Sequence, residues 1–577
     1  MGYISVKSLN CKNCYKCLKG CMVKSIKYRN DKVEVIDEKC ILCGECVNIC
    51  PQEAKKIISD IDKVRELVRN KNVKKIVSVA PSYISAYPDK NKLVSGLLKL
   101  GFDGVEETAI GAAYVTKEYK KLMDKMEMEN ILTSCCPTVN LMISKYYPEL
   151  INSLAPVLSP VLVHGKLIKE KYGQETSVVF IGPCLSKIYE INNDVDEKNV
   201  DCAITFQDLN TWFTDENIDL DSLTPKEFHL ESPYSRVYPI SKGILYDLKN
   251  IFRDKVNEDK ISKYDLLSVS GLENVENILK EISKGKIKNV FIEINACSNG
   301  CVNGPMMPKN GISVLEDSIK IKRYAEEIKN NKNRFDRSDL EKKFFNEKVE
   351  DFIPDEEKLK DILMQIGKIK KDDELNCGSC GYDSCRDKAI AVYQGKAELY
   401  MCLPYMSEMA QSLSNVTLNV TPNYIIAVNE DMKIREFNLA AQKLFKISRN
   451  DALNKYLFDF IDPSDFEEVF ETQKDIRKKK VRYEDLGITI MQTIVYVKEQ
   501  KIAMGILKNI TEEEEENIEK MYNLKLDTVN MAQNVINKQM RVAQEIASLL
   551  GETTAETKVT LNKLKKLIIN EGNNINE

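Results

Sequence analysis

Two runs of cysteine near the start of the chain repeat one spacing. Cys11, Cys14, Cys17 and Cys21 read C-x2-C-x2-C-x3-C, and Cys40, Cys43, Cys46 and Cys50 repeat it, ending in Pro51. No other feature constrains the fold as much. A tight loop of this kind wraps three thiolates round one cubane cluster while the fourth thiolate crosses to a second. Structural zinc also takes four-ligand sets, but the doubled spacing favours two clusters over zinc. The chain has 18 cysteines, all before residue 403. In a reducing compartment such a set points to metal rather than disulfides, because free thiolates hold soft metals.

The spacing resembles that of the two-cluster bacterial ferredoxins. On that resemblance one cluster takes Cys11, Cys14, Cys17 and Cys50, and the other takes Cys40, Cys43, Cys46 and Cys21. Met22 stands where a proline usually follows. Residues 1–70 are therefore expected to form a ferredoxin-like electron-transfer module. The full 577 residues exceed one core and imply roughly three to five domains. With 84 basic and 88 acidic residues, nothing suggests a nucleic-acid surface or a polybasic membrane anchor. The opening MGYISVKSLN has no apolar signal core, and no run of about 18 apolar residues occurs, so a cytoplasmic protein without a membrane span is expected.

From 71 to 350 the apolar runs KKIVSVA, ENILTSCC, SVVFIGPC and KNVFIEINAC alternate with longer helical stretches, an α/β pattern. Cys136, Cys184, Cys297 and Cys301 sit at or just beyond such runs, where strand ends can bring distant thiolates together. TSCCP at 133–137 also places Cys135 beside Cys136. Neighbouring side chains on a regular helix or strand cannot point at one metal atom, so the two thiols need different tasks.

Three ordered motifs, TSCCP, GPCLSKIYE at 182–190 and EINACSNGCVNG at 293–304, resemble the iron-only (FeFe) hydrogenases. The resemblance spans roughly the first 410 residues. It implies that Cys136, Cys184, Cys297 and Cys301 hold a cubane, with Cys301 bridging to a two-iron subcluster that carries carbonyl, cyanide and a bridging dithiolate. Lys187 and Ala80-Pro81-Ser82 would contact the cyanides, with Gly182, Pro183 and Asn295 also at the cofactor. Cys136 is then the ligand and Cys135 the proton relay; outside this motif Cys135 would read as a small buried hydrophobe. A thiol with an ordinary pKa near about 8.5 exchanges a proton near neutral pH.

The departures from the family pattern bear on function. Where the catalytic hydrogenases carry two carboxylates and a serine, alignment on TSCCP places Tyr119, Leu122 and Ala155, although Glu190 is retained. Gly182 and Asn295 replace methionines that usually pack on the two-iron site, and Val139 replaces a tryptophan. The expectation is a site that binds and splits dihydrogen reversibly but turns over slowly.

NCGSCGYDSC followed by MCLP gives Cys377, Cys380, Cys385 and Cys402 as C-x2-C-x4-C-x16-C, within a segment at 351–412. This resembles a small iron–sulfur domain of electron-transfer and corrinoid proteins and implies a fourth 4Fe-4S cluster, with zinc as the alternative. Cys202 is left over and reads as a buried strand residue. Residues 415–512, with NYIIAVNEDMKIREFN, TIVYVKE and KIAMGILKNI, resemble a PAS sensor domain, with Asn509 in place of the common closing aspartate. In 513–577, Val535, Val542 and Leu549 recur every seven residues, with Ala532 and Ile546 on the alternate seam. This suggests a parallel coiled coil and a homodimer; the alternative is a helix packed on its own chain. The only histidines are His164 and His229, so this region has neither a kinase histidine nor a haem ligand.

The fold expected is multidomain α/β and α+β: ferredoxin-like module, hydrogenase-type domain, small iron–sulfur domain, PAS domain and helical output segment. Three functional readings follow. One is a hydrogen or redox sensor passing its state through the PAS domain to a kinase or phosphatase. Another is a working hydrogenase that exchanges electrons with ferredoxin and is regulated by the PAS domain. The third is an iron–sulfur scaffold without the two-iron unit, against which Cys135 and Lys187 argue.

Overall fold

The computed structural model describes residues 2–194, 197–232, 234–251, 263–308, 313–326, 339–453, 455–547 and 559–566. The chain divides into two compact units, Met1–Met406 and Ser407–Glu577.

In the first unit, β1 (Ile4–Val6) pairs antiparallel with β4 (Lys55–Ile57), and β2 (Ile26–Arg29) pairs with β3 (Lys32–Val35). The β2–β3 turn is Asn30-Asp31, with φ of 50° and 59°. Asn and Asp tolerate that left-handed backbone, which a two-residue hairpin of the right twist requires.

Two parallel sheets follow. β5 (Lys75–Val79), β6 (Gly104–Glu107), β8 (Ser177–Gly182) and β9 (Cys202–Thr205) run in the order β6-β5-β8-β9. β7 (Ile131–Leu132), β10 (Asp265–Ser270) and β11 (Val290–Asn295) run in the order β10-β11-β7. Every residue of β5 and of β11 is buried, as expected for parallel strands covered on both faces. All carboxyl ends of a parallel sheet lie on one side, where loops can converge. Ala80–Ser82, Thr108, Thr133–Cys136, Pro183–Cys184 and Ala296–Cys297 all follow such ends.

Helices Ala109–Lys125 and Pro160–Tyr172 cross closely at Gly111. A Cβ there would stand 2.1 Å from the Pro160 carbonyl oxygen and 2.8 Å from the His164 nitrogen. Backbone cannot retreat as a flexible side chain can, so Gly111→Ala is expected to destabilise this unit by about 1–3 kcal/mol or more. A lowered Tm on thermal denaturation checks it.

The second unit holds a five-stranded antiparallel sheet in the order β13-β12-β16-β15-β14. Its strands are β12 (Tyr424–Asn429), β13 (Ile434–Phe437), β14 (Ile476–Tyr483), β15 (Ile488–Val497) and β16 (Ile502–Asn509). Ile426, Phe437, Phe466, Ile494 and Leu507 form its core. Gly505 leaves room for the Phe466 ring, which a Cβ would meet at 2.4 Å. Helix Thr511–Ala547 follows, starting with Glu512, Glu513 and Glu514 in its first turn, where carboxylates suit the helix dipole. Ile518, Met521, Leu524, Met531, Val535, Val542 and Ile546 are each more than half exposed along it. Leu549, part of the expected heptad, lies outside the described residues. Among the described residues no helix is long and apolar enough to cross a membrane.

Candidate functional site

The converging strand ends enclose a cavity of about 100 Å³ lined by Ala80, Pro81, Ser82, Cys135, Cys136, Pro183, Cys184, Lys187, Asn295 and Cys301. A smaller cavity of about 20 Å³ adjoins it, lined by Cys136, Cys184, Cys297 and Cys301 together with Cys43. Thiols separated by up to 258 positions in the sequence thus share one wall. Cys136 has extended backbone (φ −96°, ψ 105°) and caps helix Pro137–Tyr146, whose first residue is proline. This sharp strand-to-helix change turns neighbouring thiols apart. Cys136 faces Cys184 and Cys301, while Cys135 Sγ lies 3.0 Å from the Tyr119 hydroxyl.

The Tyr119 oxygen accepts the Ser134 backbone N–H at 3.1 Å, so its own proton is free to point at Cys135. Burial pushes the Cys135 thiol up to about 12, a rise that the Tyr119 hydrogen bond and Lys187 only partly oppose. The ordinary thiol value of about 8.5 therefore does not hold at this depth. Leu122 is half-buried and Ala155 fully buried, and neither can carry a proton.

Lys187 and Glu190 lie three apart on helix Leu185–Asn192, with Nζ 2.6 Å from Glu190 Oε2. Ser159 donates to the same carboxylate at 2.8 Å, and Lys342 pairs with its other oxygen at 2.7 Å. Burial raises the Glu190 pKa, but Lys187 and Lys342 outweigh it and hold the carboxyl at about 2. The pair is a fixed positive head over the cavity, with the negative charge behind it. Ser82 Oγ is buried and has no hydrogen-bond partner among the described residues. Beside Gly182 a Cβ would meet the Phe180 ring at 2.6 Å, so Phe180, which also lines the cavity, uses the space that the missing side chain leaves.

A polar line that the sequence did not disclose begins at Tyr238 on the cavity wall. Its hydroxyl lies 2.8 Å from Thr116 Oγ1, which donates to Asp247 Oδ2 at 2.7 Å. Ser235 N–H donates to Asp247 Oδ1 at 3.1 Å. Burial pushes Asp247 up to about 6, although these hydrogen bonds lower it. A carboxyl raised in the folded state stabilises it below the unfolded value of about 3.9 and loses that contribution as pH rises through 6. Asp247→Asn is therefore expected to gain stability relative to the parent as pH rises from 4 to 8, approaching about 3 kcal/mol above pH 6 and read as a higher relative Tm. Parallel melts at several pH values check the sign.

The other cysteine sets gather as well. Cys21, Cys40, Cys43 and Cys46 line one cavity of about 20 Å³, and Cys377, Cys380, Cys385 and Cys402 line another of similar size. Cys11 and Cys14 lie near enough to Cys17 to raise its pKa electrostatically, after burial, which is the larger cause. For Cys50 the hydrogen bond is from Ala54 N–H at 3.4 Å. Among the described residues no three or more His, Cys, Asp or Glu side chains close tightly enough on one point to hold a single metal ion. Cys202 is buried in β9, as expected, and burial pushes its thiol up to about 12.

The sets adjoin one another. Cys43 lines its own cavity and the one shared by Cys136, Cys184, Cys297 and Cys301. On the far side, Gly381 packs against Leu18, Lys24 pairs with Asp383 at 3.3 Å, and Tyr28 N–H donates to the Lys396 carbonyl at 2.8 Å. The segment containing Cys377 thus docks on the amino-terminal module.

Family models match along the chain. Residues 73–305 match the iron-only hydrogenase large subunit, C-terminal domain, and residues 3–51 a 4Fe-4S dicluster domain. Residues 373–404 match an Fe-S cluster family and residues 409–498 the PAS fold. Iron hydrogenase 1 of Clostridium pasteurianum is 25% identical over 52% of this chain and 70% of that protein. The NADP-reducing hydrogenase subunit HndD of Solidesulfovibrio fructosivorans is 24% identical over 48% of this chain and 57% of its own length. A probable cytosolic Fe-S cluster assembly factor of Drosophila erecta is 22% identical over 52% of this chain and 78% of its own. A solved FeFe-hydrogenase of Chlamydomonas reinhardtii is 20% identical, covering 51% of this chain and all of that one, at a TM-score of 0.40. The chain thus combines a hydrogenase-like domain, iron–sulfur domains and a PAS domain.

Proposed function

We propose that this protein binds and slowly splits dihydrogen at a two-iron centre and reports the result through its PAS and helical region. One observation carries the reading. Cys136, Cys184, Cys297 and Cys301 line one cavity, and three of them also line the adjoining one, whose other walls hold the Cys135 thiol, a paired ammonium (Lys187) and a buried hydroxyl with no partner among the described residues (Ser82). A cubane on soft thiolates with a cyanide-bearing neighbour fits that donor set: Cys136, Cys184, Cys297 and Cys301 would hold it, while Lys187, Ser82 and the Ala80-Pro81 backbone would supply hydrogen bonds to the cyanides. A two-iron unit held there supplies heterolytic splitting of dihydrogen. The chain supplies the rest. Cys135 Sγ exchanges the proton, Tyr119 fixes its direction, Glu190 keeps Lys187 charged and aimed, and the apolar walls exclude water.

Cys11, Cys14, Cys17 and Cys50, then Cys40, Cys43, Cys46 and Cys21, then Cys377, Cys380, Cys385 and Cys402 would hold the other three 4Fe-4S clusters. With the cubane at the cavity they form a chain for electrons shared with a ferredoxin-type partner. The interruption at Tyr119, Leu122 and Ala155 favours sensing over flux, because a sensor needs occupancy. The exposed apolar side of helix Thr511–Ala547 suits a homodimer that presents output to a kinase or phosphatase.

The test is infrared spectroscopy on protein loaded with its two-iron cofactor, under hydrogen and under inert gas, with turnover measured alongside. Slow turnover with a spectral change under hydrogen supports the sensor. Rapid turnover in both directions replaces it with a working hydrogenase. The likeness to Fe-S assembly factors keeps a scaffold role as a second reading, and failure to take up carbonyl and cyanide bands would establish it.

A further inference from the structure

One buried histidine is used by none of the foregoing. His164 lies in helix Pro160–Tyr172, in the run PVLVHGKLIK, and is wholly buried. Its Nδ1 is 2.8 Å from Ser78 Oγ, and Ser78 Oγ is 2.7 Å from Thr108 Oγ1. Thr108 lines the cavity that holds Cys135 and Lys187. On the other side, His164 Nε2 is 3.2 Å from Glu106 Oε2. Glu106 Oε1 accepts from Lys171 Nζ at 2.9 Å and from the Tyr172 hydroxyl at 2.7 Å. The Lys171 side chain is 44% exposed. A hydrogen-bonded line thus runs from the cavity wall through two hydroxyls, an imidazole and a carboxylate to the surface.

The other polar lines leaving the cavity serve less well. Lys187–Glu190–Lys342 is a carboxylate between two ammoniums, without a group that accepts and donates near neutral pH. Tyr238–Thr116–Asp247 runs to Ser235, which is buried. An imidazole does both jobs at once, donating from one nitrogen while accepting at the other, and is the side chain whose ordinary pKa lies nearest neutrality. The groups that face His164 are Ser78 of β5, Glu106 of β6 and the Gly111 backbone of helix Ala109–Lys125. Behind Glu106 stand Lys171 and Tyr172, with Lys74 over the Tyr172 ring at 4.1 Å.

We propose that Thr108, Ser78, His164, Glu106 and the Tyr172 hydroxyl conduct protons between the cavity and solvent, taking the place of the route lost at Tyr119, Leu122 and Ala155. The proposal rests on the hydrogen-splitting reading of the cavity. One proton enters at Thr108 Oγ1 as that hydroxyl passes its own to Ser78. Ser78 passes its proton to His164 Nδ1, and His164 releases the Nε2 proton to Glu106 Oε2; Glu106 passes a proton from Oε1 to the oxygen of the half-buried Tyr172 hydroxyl as that hydroxyl gives its own to water. One proton enters and one leaves, only O–H and N–H bonds exchange, and no electron moves. Rotation of the hydroxyls and a flip of the imidazole reset the line. A flip inside a close helix crossing is slow, which suits a centre that cycles rarely.

The test is His164→Gln in the full chain loaded with its two-iron cofactor. Glutamine can still bond Ser78 and Glu106, but an amide does not pass protons. After a pH jump under hydrogen, the carbonyl bands of the variant are expected to relax about tenfold or more slowly, to the same end positions and at unchanged iron content. Glu106→Gln should slow them likewise. Relaxation at the parental rate in both variants overturns the line, as does slowing confined to Tyr119→Phe. A second readout needs no two-iron unit and covers a variant that folds poorly. With ¹⁵N-histidine only His164 and His229 give ring signals, and Ser78→Ala or Glu106→Gln should slow solvent exchange of the His164 ring proton about tenfold; unchanged exchange overturns the line. If the parent protein takes up no carbonyl and cyanide bands, the hydrogen reading falls and the proposal with it. If the parent responds and the variants match it, only the line falls.

Discussion

Cys301→Ala is expected to abolish the carbonyl and cyanide infrared bands and every response to hydrogen. Cys301 lines both cavities at the candidate site, together with Cys136 and Cys184. Of the four proposed ligands it is the one assigned to both parts of the centre, so its loss leaves the cubane one thiolate short and removes the link to the two-iron unit. Second-sphere losses commonly cost 10–100-fold in affinity, and removing a bridging ligand exceeds that. The remaining clusters should keep their paramagnetic signals on reduction, because Cys21, Cys40, Cys43 and Cys46, and Cys377, Cys380, Cys385 and Cys402, gather round separate cavities. Cys202→Ala is the control: it lies in β9, away from these walls, and should leave iron content and bands unchanged. Bands retained in Cys301→Ala would overturn the ligand assignment.

Cys135→Ala gives the second large effect, of a different kind. The bands should remain, since Cys135 ligates nothing in this reading, while hydrogen turnover should fall by about 10²–10⁴-fold, the range for loss of a positioned proton carrier. Tyr119→Phe keeps the ring against Phe291 and removes only the hydroxyl that faces Cys135. Its loss should be smaller, because the thiol remains and only its orientation is relaxed. Equal turnover in Cys135→Ala and the parent would remove Cys135 from the proton path.

The parts of this architecture that were legible in the sequence are those written as local spacing. The cysteine ladders, the α/β alternation and the strand-turn-strand at 424–437 each announce themselves within about a dozen residues. Tyr119 was legible only by counting back from TSCCP, and its hydroxyl does meet Cys135. Lys342 was not legible at all: it sits in the charged run EKKFF, where nothing separates it from Lys343, and it reaches Glu190 only through the fold. Asp247 and Glu106 were hidden in the same way, since their partners lie from 12 to 131 positions away. The shift of Cys135 to about 12 follows from depth, a property no motif states. Nor does spacing say that the segment around Cys377 would fold back on Leu18 and Tyr28, joining the first three sequence segments in one compact unit.

Gly44 bears on how freely the amino-terminal module could be exchanged. It has φ +77°, and a Cβ there would stand 2.6 Å from the Pro305 ring, next to the thiol of Cys43 that borders two cavities. A left-handed backbone and a proline at that distance admit hydrogen and nothing larger. A graft of a foreign two-cluster module would therefore have to bring a glycine at this position, or have Pro305 recut to receive it. The junction is keyed by the shape of a single residue, and interchangeability of the module is decided there rather than by how well its clusters are tuned.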